Sequence, residues 1–180
     1  MKFSNANDVT LVQEVARELQ SRGFYLTTAE SCTGGLLSNA CVAESGSSAW
    51  YSGGWIVYAN KMKQSELGVP CDILEKYGAV SVESAHAMCV GAIARSGAQV
   101  AISTTGIAGP SGGTVDKPVG TVCIGCLFEK KATVRTFCFE GDRAAVRNYA
   151  VSAAIQILHG LLMNSESQML QWQQGEEMEF

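Results

Sequence analysis

Short strand-like runs alternate with helical stretches along this chain, and the alternation is broken by a single pair of consecutive strands. That order leaves few ways to fold, because each amphipathic element must bury its apolar side against a layer of another kind. Val12, Val15, Ala16 and Leu19 follow the helical i, i+3, i+4, i+7 spacing, with Asn7 or Asp8 as cap and Gly23 as terminator. FYLTT (24–28) is a short aromatic and β-branched run, read as a strand, and 36–44 reads as the next helix. A Gly/Ser-rich loop is expected over 46–54, followed by a strand over 55–59. Short helices over 61–67 and 72–77 and a longer one from Ser81 to about residue 96 precede a strand at 99–104. Residues 119–128 and 132–139 read as an antiparallel hairpin joined by the polar turn 129–131. Gly141 and Asp142 open a last helix whose apolar face is Val146, Tyr149, Ala150, Ala153 and Ile157. The expectation is one layered α/β domain with a mixed sheet over 1–165 and a polar, acidic tail over 166–180.

Composition narrows the function classes. At 180 residues, one hydrophobic core suffices. The net charge is −4, and no basic stripe is evident, so a broad nucleic-acid footprint is not expected. No stretch approaches the ~18 apolar residues of a spanning helix. The opening MKFSNANDVT has no apolar core of a secretory signal, so a cytoplasmic location is expected. The seven cysteines then read as reduced thiols, mostly buried. Cys123 and Cys126 form a C-x-x-C within a strand, where residues three apart face opposite sides, so they do not read as a redox or zinc pair.

The segment TTAESCTGG (27–35) lies at a strand-to-helix turn and is the leading candidate for the working site. Ser31 there is either a helix N-cap or a nucleophile. Thr33, Gly34 and Gly35 follow at once; paired glycines admit a ligand to the backbone, and helix-start amides suit an anion or a developing oxyanion. Glu30 adds a third polar group to the turn. A serine nucleophile needs a base, and neither histidine, His86 or His159, is tied by sequence to Ser31. A desolvated lysine can serve instead, which directs attention to Tyr58-Ala59-Asn60-Lys61-Met62-Lys63. Cys32 is an alternative nucleophile without an evident partner. The loop TTGIAGPSGG (104–113) is glycine-rich but lacks the ending of a Walker A motif. Arg143 and Arg147 stand i, i+4 on the last helix and share a face, where they either clamp a phosphate or pair with Asp142 or Glu140.

Four blocks in order resemble one family. TTAESCTGG, Y-x-N-x-x-K (Tyr58, Asn60, Lys63), GIAGPSGG-x(3)-KPVGTV (106–122) and F-x-GDR-x-x-VR (139–147) are similar to the CinA C-terminal domain, the family of the stand-alone nicotinamide mononucleotide amidohydrolases. The resemblance covers about 9–162. It implies a three-layer α/β/α sandwich with a mixed, mostly parallel sheet. It also implies hydrolysis of nicotinamide mononucleotide (NMN) to nicotinic acid mononucleotide and ammonia, a step of pyridine nucleotide salvage that needs no metal or cofactor. Ser31 is then the nucleophile and Lys63 the base, with Tyr58 relaying or orienting the proton. Amides near Thr33 to Gly35 would hold the oxyanion or an anionic ligand group. Thr105 and Gly106 would line the cleft, and Arg143 or Arg147 would take the 5′-phosphate; Glu30 and Asn60 complete the substrate-binding set. Ala59 stands where serine is common, and Lys61-Met62 replaces a more usual Glu-Ala pair, setting a second cation close to Lys63. The rival expectation is a non-catalytic nucleotide-binding module of the same fold. The apolar stretch around Trp50 and Trp55 suggests a self-association face and hence a homodimer.

Overall fold

The fold is organised around strand β1 (Leu26–Glu30), every residue of which is buried. A computed structural model of the chain describes residues 6–128 and 131–163. Helix α1 (Ala6–Arg22) precedes β1. Helix α2 (Leu36–Val42) and strand β2 (Tyr51–Ile56) follow it. Helices α3 (Asn60–Leu67), α4 (Cys71–Lys76) and α5 (Val82–Ser96) then lead to strand β3 (Val100–Gly106). Strands β4 (Thr121–Phe128) and β5 (Lys131–Cys138) and helix α6 (Arg143–Leu162) complete the order.

The strands form one sheet in the order β2-β1-β3-β4-β5. β1 pairs in parallel with both β2 and β3, and β4 runs antiparallel to its neighbours β3 and β5. Four of the five strands therefore point the same way, and the sheet is mixed, as the resemblance implies. Side chains alternate between its faces with period two. Leu26, Val100, Ile102, Val122, Ile124, Cys126 and Phe128 pack with α1, α2 and α6. Ala29 and Ala101 pack with α3, α4 and α5 on the other face, and Cys123 and Val134 meet Ala85 of α5 there. Helices thus cover both faces, giving a three-layer α/β/α sandwich. Cys123 and Cys126 fall in different clusters on opposite faces, as their spacing in a strand requires.

The caps follow local chemistry. Ser81 Oγ accepts from the Ser84 amide at 3.1 Å to start α5, and Asp142 Oδ1 accepts from the Ala145 amide at 2.8 Å to start α6. Asp8 lies inside α1 instead of capping it, buried and accepting from Ser152 of α6 at 2.7 Å. The side chain of Asn7, the turn at 129–130 and the tail 166–180 lie outside the described residues.

The expected loop over 46–54 is corrected. A single 3-10 turn (Ser47–Ala49) leads directly into β2, which includes Gly53 and Gly54. A Cβ on Gly54 would stand 2.0 Å from Thr28 Oγ1, so glycine is what allows β2 this close to β1. Trp50 is buried at 1% exposure and joins the α1/α6 core, so it provides no self-association face. β2 is the edge strand on that side, and β1 is enclosed between β2 and β3.

Candidate active site

Strand β1 ends at Glu30, and the chain turns through 31–35 before α2 begins. The β1–β3 pairing continues one residue further, with the Ser31 amide donating to the Thr104 carbonyl at 2.9 Å. The crevice at the carboxyl ends of β1 and β3 lies where the connections leave the sheet toward different neighbours, the usual ligand position in open α/β sheets.

Lys63, one turn into α3, reaches into this crevice. Its Nζ lies 3.1 Å from Ser31 Oγ, 2.9 Å from the Val57 carbonyl and 3.3 Å from the Tyr58 carbonyl. Lys63 is 1% exposed, with no carboxylate in ion-pair contact among the described residues. Burial of an uncompensated ammonium favours the neutral amine and pulls its pKa below the lysine value of 10.5. A Cys32 thiolate would oppose the shift, but burial pushes the Cys32 thiol up to about 12, so it is neutral while Lys63 titrates.

The neutral amine fits these three partners well. Nζ donates to all three as the site stands; on losing a proton it keeps two N–H groups for the carbonyls and turns a lone pair toward Ser31 Oγ. Ser31 is 7% exposed and does not cap α2; Gly35 occupies the cap position. His159 lies elsewhere, with Nε2 2.7 Å from Glu14 Oε2 between α6 and α1. The titratable side chain in contact with the Ser31 hydroxyl is Lys63.

Glu30 has a different place from the one expected. It is fully buried, and its carboxylate accepts from the amides of Gly35 (2.9 Å), Leu37 (3.1 Å) and Ser38 (2.8 Å). The hydroxyls of Thr33 (2.7 Å) and Ser38 (2.6 Å) donate to it as well. The start of α2 is therefore neutralised from within the chain, and Gly35 is not an anion site. The Gly34 amide donates to the Ser31 carbonyl at 3.2 Å. Among the described residues the Thr33 amide has no partner, and the Cys32 amide meets only its own thiol. The space above the glycines is also taken: a Cβ on Gly34 would meet Arg147 Nη2 at 3.2 Å, and one on Gly35 would meet Ile56 Cδ1 at 3.1 Å.

Thr33 is itself fully buried, and its hydroxyl lies 2.6 Å from that of Thr104, a residue that motif reading passed over. Thr105, next along β3, points to the opposite face, where its hydroxyl donates to the Ala79 carbonyl at 2.6 Å. The β1–β3 register pairs Glu30 with Thr104, so its next step sets Thr105 beside Ser31. Gly106 ends β3 there, half-buried.

Tyr58 does not place its hydroxyl on Lys63; its carbonyl makes that contact. The phenol is 63% exposed, and its oxygen lies 3.3 Å from Arg143 Nη2. Arg143 Nη1 also donates to the Gly109 carbonyl at 2.9 Å, so it joins α6, the 107–120 loop and the Tyr58 ring at the rim of the crevice. Arg147 Nη2 donates to the Thr33 carbonyl at 2.7 Å, and its buried Nε has no partner among the described residues. The two arginines share a helix but grip different parts of the site. Asn60 and Lys61 are exposed at the start of α3. The expected influence of Lys61 on Lys63 is replaced by desolvation as the cause of the shift.

Fold and site together define an α/β/α sandwich protein with a serine–lysine pair at the carboxyl end of strand β1. Residues 8–162 match the family described as the CinA C-terminal domain, and the chain belongs to that family. It is 46% identical over 145 residues to a "Nicotinamide-nucleotide amidohydrolase PncC" of Enterobacter agglomerans, covering 79% of this chain and 88% of that one. It is 43% identical over 165 residues to a "CinA-like protein" of Syntrophobacter fumaroxidans, covering 92% of this chain and spanning only 39% of that relative's length. Among solved structures it is similar to a CinA superfamily protein from Klebsiella pneumoniae, with a TM-score of 0.84 and 37% identity over 88% of this chain and 99% of the other. A competence/damage inducible protein from Agrobacterium tumefaciens gives a TM-score of 0.85 at 34% identity, over 89% and 99% of the two chains. No helix among the described residues is long and apolar enough to cross a membrane.

Proposed function

We propose that this protein is an amidohydrolase that converts NMN to nicotinic acid mononucleotide and ammonia, with Ser31 as nucleophile and Lys63 as general base. The observation that carries this reading is the 3.1 Å contact between Lys63 Nζ and Ser31 Oγ, made by a buried lysine whose other donors are absorbed by two carbonyls. The 46% identity to a chain named a nicotinamide-nucleotide amidohydrolase supports the choice of substrate.

In this mechanism neutral Lys63 takes the Ser31 proton as Oγ attacks the carboxamide carbon. The carbonyl oxygen becomes an oxyanion, to which the amides of Cys32 and Thr33 donate. The C–N bond breaks as Lys63 returns the proton to nitrogen, and ammonia leaves. Lys63 then deprotonates a water that attacks the Ser31 ester, releasing the carboxylate product and restoring the serine hydroxyl. Arg143, at the rim, receives the 5′-phosphate, with the exposed Tyr58 ring as the adjoining wall. Thr105 and Gly106 form the floor of the crevice beside Ser31.

The test is ammonia release from NMN by the purified chain, measured beside the shift in melting temperature that NMN produces. Turnover that disappears in Ser31→Ala supports the reading. A thermal shift with NMN recovered unchanged would overturn it in favour of a non-catalytic nucleotide-binding module.

A further inference from the structure

The mechanism leaves unused a group of buried polar side chains beneath the Ser31 turn. Thr33 and Glu30 are fully buried, as is Thr104, so none of the three presents its side chain to the crevice. The hydrogen-bond directions among them follow from simple counting. A carboxylate only accepts, so the single hydroxyl proton of Thr33 goes to Glu30 Oε2 at 2.7 Å. The hydroxyl of Thr104, 2.6 Å from that of Thr33, must then be the donor. The chain of donation runs Thr104 to Thr33 to Glu30, and Glu30 in turn holds the first amides of α2.

We infer that Thr104 is a positioning residue for Ser31, gripping the 31–33 turn from both ends, and that Glu30 is the anchor of that grip. Thr104 holds residue 31 through its main-chain carbonyl and residue 33 through its hydroxyl. Ser31 Oγ and the amides of Cys32 and Thr33 lie between these two holds, so the turn has little freedom to rotate the amides away from a reacting carbonyl. Arg147, on the Thr33 carbonyl, secures the outer side of the same turn. Five donors converge on Glu30, and an amide side chain, with one oxygen in place of two, cannot accept them all. The side chains of Glu30 and Thr33 thus act through the turn and not by touching substrate. This assignment rests on the serine–lysine reading of the site.

The test removes one hydroxyl and restores it. Thr104→Val keeps the shape and the main-chain bond but loses the donor, whereas Thr104→Ser keeps the donor. Two readouts are taken: kcat and KM for NMN, and the rate at which a fluorophosphonate labels Ser31, which needs the lysine and the turn amides but not NMN. Loss of one oxyanion-hole donor costs about 10²–10³ in kcat, so a loosened turn is expected to cost roughly tenfold to a hundredfold. Thr104→Val should show that fall in kcat with KM within about twofold, the same fall in labelling rate, and near-complete recovery of both in Thr104→Ser. Unchanged labelling and kcat in folded Thr104→Val would overturn the inference. If Thr104→Val does not fold, Thr104→Ala removes the same hydroxyl and carries the same comparison. Failure of both to fold would overturn the inference, because the hydroxyl would then be a folding determinant. Wild-type chain that is labelled but leaves NMN intact would refute the substrate and leave the positioning result standing.

Discussion

Lys63 Nζ lies 3.1 Å from Ser31 Oγ, although 31 residues separate the two along the chain and neither has a charged partner within ion-pair distance among the described residues. The pair is assembled where the first turn of α3 meets the turn that follows β1. Burial shifts the lysine toward its neutral form, the form a general base requires.

Ser31→Ala and Lys63→Met are expected to abolish ammonia release from NMN while the fold persists. The loss should be roughly 10³-fold or more for the nucleophile and about 10²–10⁴-fold for the base. Lys63→Arg should fail as well, because a guanidinium stays charged and offers no lone pair. Initial rates by a coupled ammonia assay, with circular dichroism as the fold control, decide the point.

The pH dependence has a definite sign. The folded-state pKa of Lys63 is lowered below 10.5, so activity should rise with pH through an inflection below 10.5 as the amine loses its proton. Between that inflection and the unfolded value the unfolded chain binds more protons, so the contribution of Lys63 to stability also rises with pH across this window. Denaturant melts at several alkaline pH values should show that slope, and it should be flatter in Lys63→Met.

Cys32 adjoins the nucleophile in sequence, but its thiol is buried and pushed up to about 12. Cys32→Ala should therefore keep most of the activity. Mass spectrometry after brief iodoacetamide treatment at pH 8 should find label on the exposed Cys71 and Cys138 before Cys32. Early labelling of Cys32 with parallel loss of turnover would instead favour a thiol mechanism.

The two arginines should separate kinetically. Arg143→Ala removes the cation at the rim and should raise KM for NMN about tenfold to a hundredfold, the worth of a charge-assisted hydrogen bond, with little effect on nicotinamide riboside, which lacks the phosphate. Arg147→Ala frees the Thr33 carbonyl and should lower kcat for both compounds.

Gly91 of α5 marks the crossing with α3. A Cβ there would stand 1.9 Å from the Leu67 carbonyl, so Gly91→Ala must push the helix carrying Lys63 away from α5. Overpacking of this kind costs about 1–3 kcal/mol. A lower denaturation midpoint and a reduced kcat are the expected outcomes.

Much of the site was legible because its residues cluster in short blocks. Ser31 was found by its turn, and Lys63 was separated from Lys61 by its place in the Y-x-N-x-x-K block; Lys61 is indeed the exposed one of the two. Thr104 was passed over because β-strand neighbours differ only in which face they occupy, and nothing local to 104–106 says which face lies under the turn. The roles of Glu30, Tyr58 and the glycine pair were misread for a related reason. A motif shows which polar groups are near one another in the chain but not which of them satisfy each other.

The sequence by itself determined the layered α/β class, the opening of α6 at Asp142, the opposite facing of Cys123 and Cys126, and the strand-to-helix turn that bears Ser31. These depend on periodicity and on residues a few positions apart, so local chemistry suffices. Only the tertiary structure decided that glycine-rich 51–56 is a strand, that Glu30 closes the start of α2, and that Lys63 is buried against Ser31. Each of those depends on how closely distant segments approach: a strand admitted by the absence of a Cβ at Gly54, a carboxylate enclosed by five donors, and an amine whose proton affinity is lowered by the protein packed around it.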